Sequence, residues 1–523
     1  MISIKRARTM GVLLVAGLLA AAAPGLAGSP SLADRVIEHK LANGMTVLMV
    51  ERHQAPIVSV NMTFGVGGVN EQVGQTGLAH LYEHMAFKGT RTVGTRDYER
   101  EQAVLTDLAM VGTELDRRER EEAARAQLEG KPVVASPEVQ QLQRRFKELQ
   151  EKASEYVVGN EMALLYQRHG GVGLNASTGK DITRYVISLP ANRLPLWAAL
   201  ESDRMAHPVL REFYKERGVV MEERRLRTDD SPNGLLYETF TSTAFQAHQY
   251  GVPTIGWGSD ILSLTPAATE AFFKTYYGPN NATVAIVGDI NPKEVIALIE
   301  QTFGKIPAAP PIPPLVTEEP PQRGERRVEV EWDAEPALAI GYHKPTIGHP
   351  DDFVFDVIDE VLTEGVTSRL YGALVREKRL AASVLSDTNY PGVRAPNLFV
   401  IAATPLAPHS VAEVEAAIYE ELDRLKTEPI SSKEFERVLN GLDADLVRSL
   451  RSNSGLASQL AFYHTVAGSW RYVLNARDRI AAVTPADVQR VAARYLVKPN
   501  RTVGVLVKKA PDKKVAAASE VTR

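Results

Sequence analysis

Between Pro307 and Pro321 the chain carries seven prolines in fifteen residues, and no other stretch limits its folding so sharply. Proline has no amide hydrogen and fixes φ near −65°, so such a run is excluded from helix interiors and central strands and reads as an extended, semi-rigid connector. The 523 residues therefore divide into two bodies. The expected boundaries are a leader over 1–33, a first domain over 34–306, the connector over 307–322, a second domain over 323–510 and a flexible tail over 511–523.

The two bodies look related. Thr265-Pro266 opens a helix that leads to Tyr276 and then to the strand PNNATVAIVG, residues 279–288. Thr484-Pro485 opens a helix that leads to Tyr495 and then to PNRTVGVLV, residues 499–507. In both places the tyrosine follows the proline by ten residues, and an Asn-containing turn enters a Val/Ile/Leu strand. Duplication of one α+β unit explains this economically; independent proline-capped helices are the alternative. The expected fold is α+β, with each half a largely antiparallel sheet carrying helices on one face.

Lys5, Arg6 and Arg8 precede the apolar run from Met10 to Ala23, the pattern of an export signal, with cleavage after Ala27 or Ala33, or of a retained anchor. Either form places the folded part outside the cytoplasm, periplasmic or secreted. No later segment has the roughly 20 apolar residues of a membrane span, so none is expected in the mature chain. A net charge of −4 gives no overall attraction to nucleic acid. The absence of cysteine excludes thiol catalysis, disulfides and Cys-based metal sites, leaving His and carboxylates as metal ligands.

After the leader, Asn43-Gly44 between apolar stretches marks a hairpin, because both residues tolerate positive φ. An alternating strand over 57–64 follows, and then a helix that opens near Gly77. Residues 96–157 differ in texture: two charged amphipathic helices flank a break at Gly130-Lys-Pro132, an inserted helical hairpin that is either a solvated pair or a partner-binding arm.

The helix after Gly77 carries His80-Leu-Tyr-Glu83-His84. Positions i and i+4 stand one above the other, so two imidazoles can face one ion, with Glu83 beside them as a base. Neutral imidazoles suit Zn²⁺, and a catalytic zinc takes three protein ligands. Downstream, Glu216 and Glu223 are seven apart on one helix face, as a ligand and a supporting carboxylate would be. Alone, that segment reads as a solvated charged helix. Laid on the second half, the motif falls on Val354–Glu360, where Asp356, Asp359 and Glu360 replace His80, Glu83 and His84. One zinc per chain is the expectation.

Four motifs, GLAHLYEHMAFKGT (77–90), GLNAST (173–178), ERGVVMEE (216–223) and SRLYGALVREKR (368–379), resemble the pitrilysin/insulinase family of inverted zinc metallopeptidases. The likeness is strongest to its bacterial, mitochondrial-processing-peptidase-like branch. The resemblance implies a zinc endopeptidase acting on peptides or unfolded segments, its two halves enclosing a chamber. It implies His80, His84 and Glu223 as zinc ligands, Glu83 as base, and Glu216 steadying a zinc-binding histidine. It also implies Asn175 and Ala176 on an edge strand that pairs with the substrate backbone. Arg376 matches an arginine that holds substrate, but Ala382 and Ser383 stand where the family's tyrosine is expected. The implied partners are peptides and a related subunit, in a homo- or heterodimer, that can lack zinc. The rival readings are a non-catalytic assembly subunit and a peptide binder that does not cleave.

Overall fold

The structure is a computed structural model that describes residues 32–509. The expected leader, apart from its last two residues, and the expected tail over 511–523 lie outside the described residues. Strands β1 (Ile37–Lys40), β2 (Thr46–Glu51), β3 (Ile57–Phe64), β4 (Val172–Thr178), β5 (Thr183–Pro190) and β6 (Ala282–Gly288) form one sheet, in the order β1-β2-β6-β3-β5-β4. Strands β7 (Arg326–Trp332), β8 (Ala337–Lys344), β9 (Ala381–Tyr390), β10 (Asn397–Pro405) and β11 (Arg501–Lys508) form another, in the order β7-β11-β8-β10-β9.

Leaving β1 aside, order and direction coincide. The last strand of each half enters parallel to the first, β6 beside β2 and β11 beside β7, and every other pairing is antiparallel. The repeat extends to single hydrogen bonds. Thr265 and Thr484 each cap their helix, accepting from the backbone N–H three residues on. Asn281 Nδ2 donates to the Tyr276 carbonyl at 2.7 Å, and Asn500 Nδ2 to the Tyr495 carbonyl at 2.9 Å.

Helices α1 (Leu78–Met85), α2 (Tyr98–Glu129), α3 (Pro137–Ser154), α4 (Phe213–Arg224), α5 (Pro232–Ala244), α6 (Pro266–Tyr276), α7 (Pro350–Leu362), α8 (Ser432–Arg451), α9 (Asn453–Ala467) and α10 (Pro485–Tyr495) frame these sheets. In the first half Val58, Val60, Met62 and Phe64 of β3 pack on Leu78, Leu81 and Tyr82 of α1. In the second, Leu338, Ile340 and Tyr342 of β8 pack on Val354 and Ile358 of α7.

Helices on one face were the expectation; both faces are covered. The second cover comes from the opposite half. Helix α9 lays Leu456, Leu460 and Ala461 on Leu48, Val50, Ala285 and Val287 of the first sheet. Helix α5 lays Phe240 and Ala244 on Ala339, Leu398 and Val400, and Leu236 on Val330 and Leu506, of the second. This is why Ser59, Asn61 and Thr63, which alternation assigns to solvent, are buried; Asn61 Nδ2 donates to Ser458 Oγ of α9 at 3.1 Å. It also explains a glycine in a strand, since a Cβ at Gly341 of β8 would meet Phe240 Cζ at 2.6 Å.

The connector has no regular structure between 306 and 325, although the Glu319 carboxylate ties it down by accepting from the backbone N–H groups of Gln246, Ala247 and His248. The insert is a helical hairpin. Asp97 caps α2, Gly130 closes it at φ 64°, and Ser136 caps α3. A small core of Val104, Leu108, Leu149 and Ala153 holds the pair together. It is braced on α4 and on Arg211 just before that helix. Arg217 meets Asp116 with two bonds, of 2.6 and 3.0 Å, the ring of Tyr214 packs edge-on against Phe146, and fully buried Arg211 bonds Glu101 at 2.6 Å. No described helix is long and apolar enough to cross a membrane.

Candidate metal centre

Helix α1 buries Leu78, Ala79, Leu81, Tyr82 and Met85 and keeps His80, Glu83 and His84 on its half-exposed side. That 3.6-residue split puts the three polar groups on one stripe. Its start has no side-chain cap of its own. Gly77 there has φ 91°, where a side chain is strained, and a Cβ on it would meet the Ile255 carbonyl oxygen at 2.7 Å. The carboxylate of Glu71 instead accepts from the N–H groups of Gly77 and Ala79, both at 2.8 Å. Burial pushes the Glu71 carboxyl up to about 8, against the pull of those two bonds.

Helix α4 packs against α1 and brings Glu216 and Glu223 to the stripe. His80 Nε2 lies 3.7 Å and His84 Nε2 3.3 Å from Glu223 Oε2. His84 Nδ1 lies 3.4 Å from Glu216 Oε2. Lys88 Nζ pairs with Glu216 Oε1 at 2.5 Å, and Arg227 with Glu223 Oε1 at 2.6 Å. His80, His84 and Glu223 each offer a ligand atom within 4.8 Å of the others, and among the described residues this is the one such cluster.

The set fits zinc. Ligand atoms about 2.0–2.1 Å from a tetrahedral ion stand roughly 3.4 Å apart, close to the 3.3 and 3.7 Å separations here and longer than the 2.9–3.0 Å usual for a hydrogen bond. Burial and neighbouring carboxylates set the two histidines apart. Burial drives His80 down to about 4, and its buried Nδ1 has no partner among the described residues. Burial also opposes charge on His84, but the Glu216 and Glu223 carboxylates outweigh it and lift that imidazole to about 9. With Nδ1 of His84 held by Glu216, Nε2 is the atom left for a metal.

Glu83 stands apart from this trio and accepts a 2.6 Å bond from Thr178 Oγ1, at the end of β4. Burial raises its carboxyl above the ordinary value. Asn175 and Ala176 lie on β4, which has a single neighbour, β5, and so ends the sheet. Arg376 belongs to a π-helical turn, Tyr371–Glu377, and donates to the Val366 carbonyl of its own half; Ala382 and Ser383 sit on β9. Thr178, Lys88 and Glu71 were not singled out in the sequence. The first two lie inside GLNAST and GLAHLYEHMAFKGT, where a hydroxyl and an amine so near a metal-type motif are the available signal.

Two family models match the chain: "Insulinase (Peptidase family M16)" over residues 46–107 and "Peptidase M16 inactive domain" over residues 263–442. The zinc protease PqqE of Helicobacter pylori is 28% identical over 480 residues, covering 90% of this chain and 91% of that one. An uncharacterized zinc protease of Streptomyces coelicolor, SCO5738, is 28% identical over 336 residues, 62% of this chain and 72% of its own. The crystal structure of a protease from Helicobacter pylori superposes with a TM-score of 0.74 at 28% identity, covering 90% of this chain and 99% of that one.

Proposed function

From a chain that belongs to the M16, or insulinase, peptidase family, we propose a zinc-dependent endopeptidase that hydrolyses peptides or unfolded segments outside the cytoplasm. The observation that carries this reading is the convergence of His80, His84 and Glu223 beside a separate, hydroxyl-held carboxylate, Glu83. Bound zinc supplies a Lewis acid and a water acidified toward neutrality.

The protein's own groups do the rest. Glu216, charged and paired to Lys88, fixes the ring of His84 so that one nitrogen faces the ion. Thr178 orients Glu83, whose raised proton affinity suits it to take a proton from water and return it to the leaving amine. Asn175 and Ala176 offer the free edge of β4 to an extended peptide, backbone to backbone. With Ala382 and Ser383 in place of a tyrosine, Arg376 grips substrate poorly by itself, and a related subunit that can lack zinc completes the pair.

Glu83→Gln tests the mechanism. Peptide hydrolysis falls by at least a hundredfold, the scale of a lost general base, while zinc measured by elemental analysis stays at about one per chain. Unchanged turnover in this variant would sink the reading.

A further inference from the structure

We propose that a cavity on the far side of β4 is a subsite for an acidic side chain of the bound peptide, resting on the reading that peptides add to the β4 edge. Side chains along a strand alternate between faces. Thr178 and Ala176 face α1, and Thr178 touches Glu83. Asn175 and Ser177 therefore face the opposite side, as do their register partners Val186 and Arg184 of β5. A peptide laid along β4 alternates in the same way, so every second side chain points away from the metal centre and toward this side.

A cavity of about 430 Å³ waits there, bounded by Asn61 of β3, Asn175 and Ser177 of β4, Arg184 and Ser188 of β5, and Ser458 of α9. One wall thus comes from the second half of the chain. Arg184 is the sole charged residue in the lining, the others being serine, asparagine, glycine and aliphatic groups. Its Nε donates to Ser177 Oγ at 2.8 Å, which aims the guanidinium and leaves both terminal nitrogens for an incoming group. Among the described residues no carboxylate pairs with it, whereas Arg204, Arg211, Arg217 and Arg224 of the same half are each matched to an acid.

A planar, unpaired guanidinium selects a carboxylate. Ser458 Oγ accepts from Asn61, so its own hydrogen is left to donate to the same ligand. Arg184 is exposed in the free protein, so water and salt screen the contact, and its effect is set at roughly tenfold.

The test is equilibrium binding and cleavage of peptides identical except for one Glu, Gln or Lys moved through successive positions. The zinc-loaded full chain is used for cleavage and Glu83→Gln for binding. Glu outbinds Lys by roughly tenfold at positions two residues apart, Arg184→Gln flattens that ratio and Arg184→Glu reverses it. A wild-type Glu-to-Lys ratio in Arg184→Glu, or a wild type indifferent to charge at every position, overturns the subsite. Glu-selective binding that depends on Arg184 in a chain that cleaves none of the peptides would overturn the peptidase reading and leave the subsite standing.

Discussion

Helices α1 and α7 hold the same place in two sheets of one topology, and each presents an acid to the edge strand beside it. Glu83 accepts from Thr178 of β4; Asp359, at the matching position, accepts from Ser386 of β9. The flanking residues differ. His80 and His84 are met by Glu223, an acid facing two bases, and Lys88 and Arg227 balance the glutamates behind them. Asp356 and Glu360 add acid to acid, and burial lifts Asp356 to about 8 and Asp359 and Glu360 to about 7. One frame thus carries a donor set matched to a cation and a set of acids whose ionisation burial opposes. Fold and site chemistry are separable here.

The largest test of that contrast is Glu223→Ala. It should drop peptide turnover by on the order of a hundredfold or more and empty the metal site, while Asp356→Ala/Glu360→Ala keeps both metal and turnover. Elemental analysis beside a peptide assay reads the two, and loss of metal from the second variant breaks the contrast. Next is Phe240→Ala, which removes a buried ring that belongs to the first half by sequence and to the second sheet by contact. The expected cost is about 3–5 kcal/mol. Calorimetry should show both halves still melting in one transition at a lowered Tm; a transition left at the wild-type temperature beside a lowered one would mean that the halves unfold independently.

Asp356→Asn sharpens the comparison through pH. The carboxyl is raised on folding from 3.8 to about 8, so its contribution to stability is whole below pH 4 and drains away as pH rises through about 8. The variant cannot ionise and should gain over wild type as pH climbs above about 4, by about 2–4 °C in Tm at pH 9, with no gain at about pH 3. A gain independent of pH would assign the effect to packing instead. The smallest effect is expected from Asp116→Ala, which unpairs Arg217 of α4 from the insert, at about 1 kcal/mol by chemical denaturation. Full stability there would mean that this pair does not brace the helix carrying Glu216 and Glu223.

What could be read in the chain was whatever is local. His80, Glu83 and His84 lie within one and a half helical turns, and Glu216 and Glu223 within two, so spacing alone placed each group on one face. The repeated Thr-Pro, Tyr and Asn pattern was legible for the same reason, since each copy is closed by bonds between near neighbours. Contacts across hundreds of residues were not. Ser59, Asn61 and Thr63 look like the wet side of a strand until α9 arrives from beyond residue 450. Thr178 is an ordinary strand hydroxyl until β4 closes on α1. Arg184 stands out only once the cavity beside β4 is seen to hold no other charge.

The crossing of α5 and α9 has a consequence for how such a chain assembles. The two helices occupy matching places in their halves, so the arrangement is a domain swap carried out within one polypeptide. A half-length chain of this design ends with an uncovered apolar sheet face and a helix shaped for the same face on a twin. Two such chains would be expected to close on each other without the connector, because each supplies the cover the other lacks.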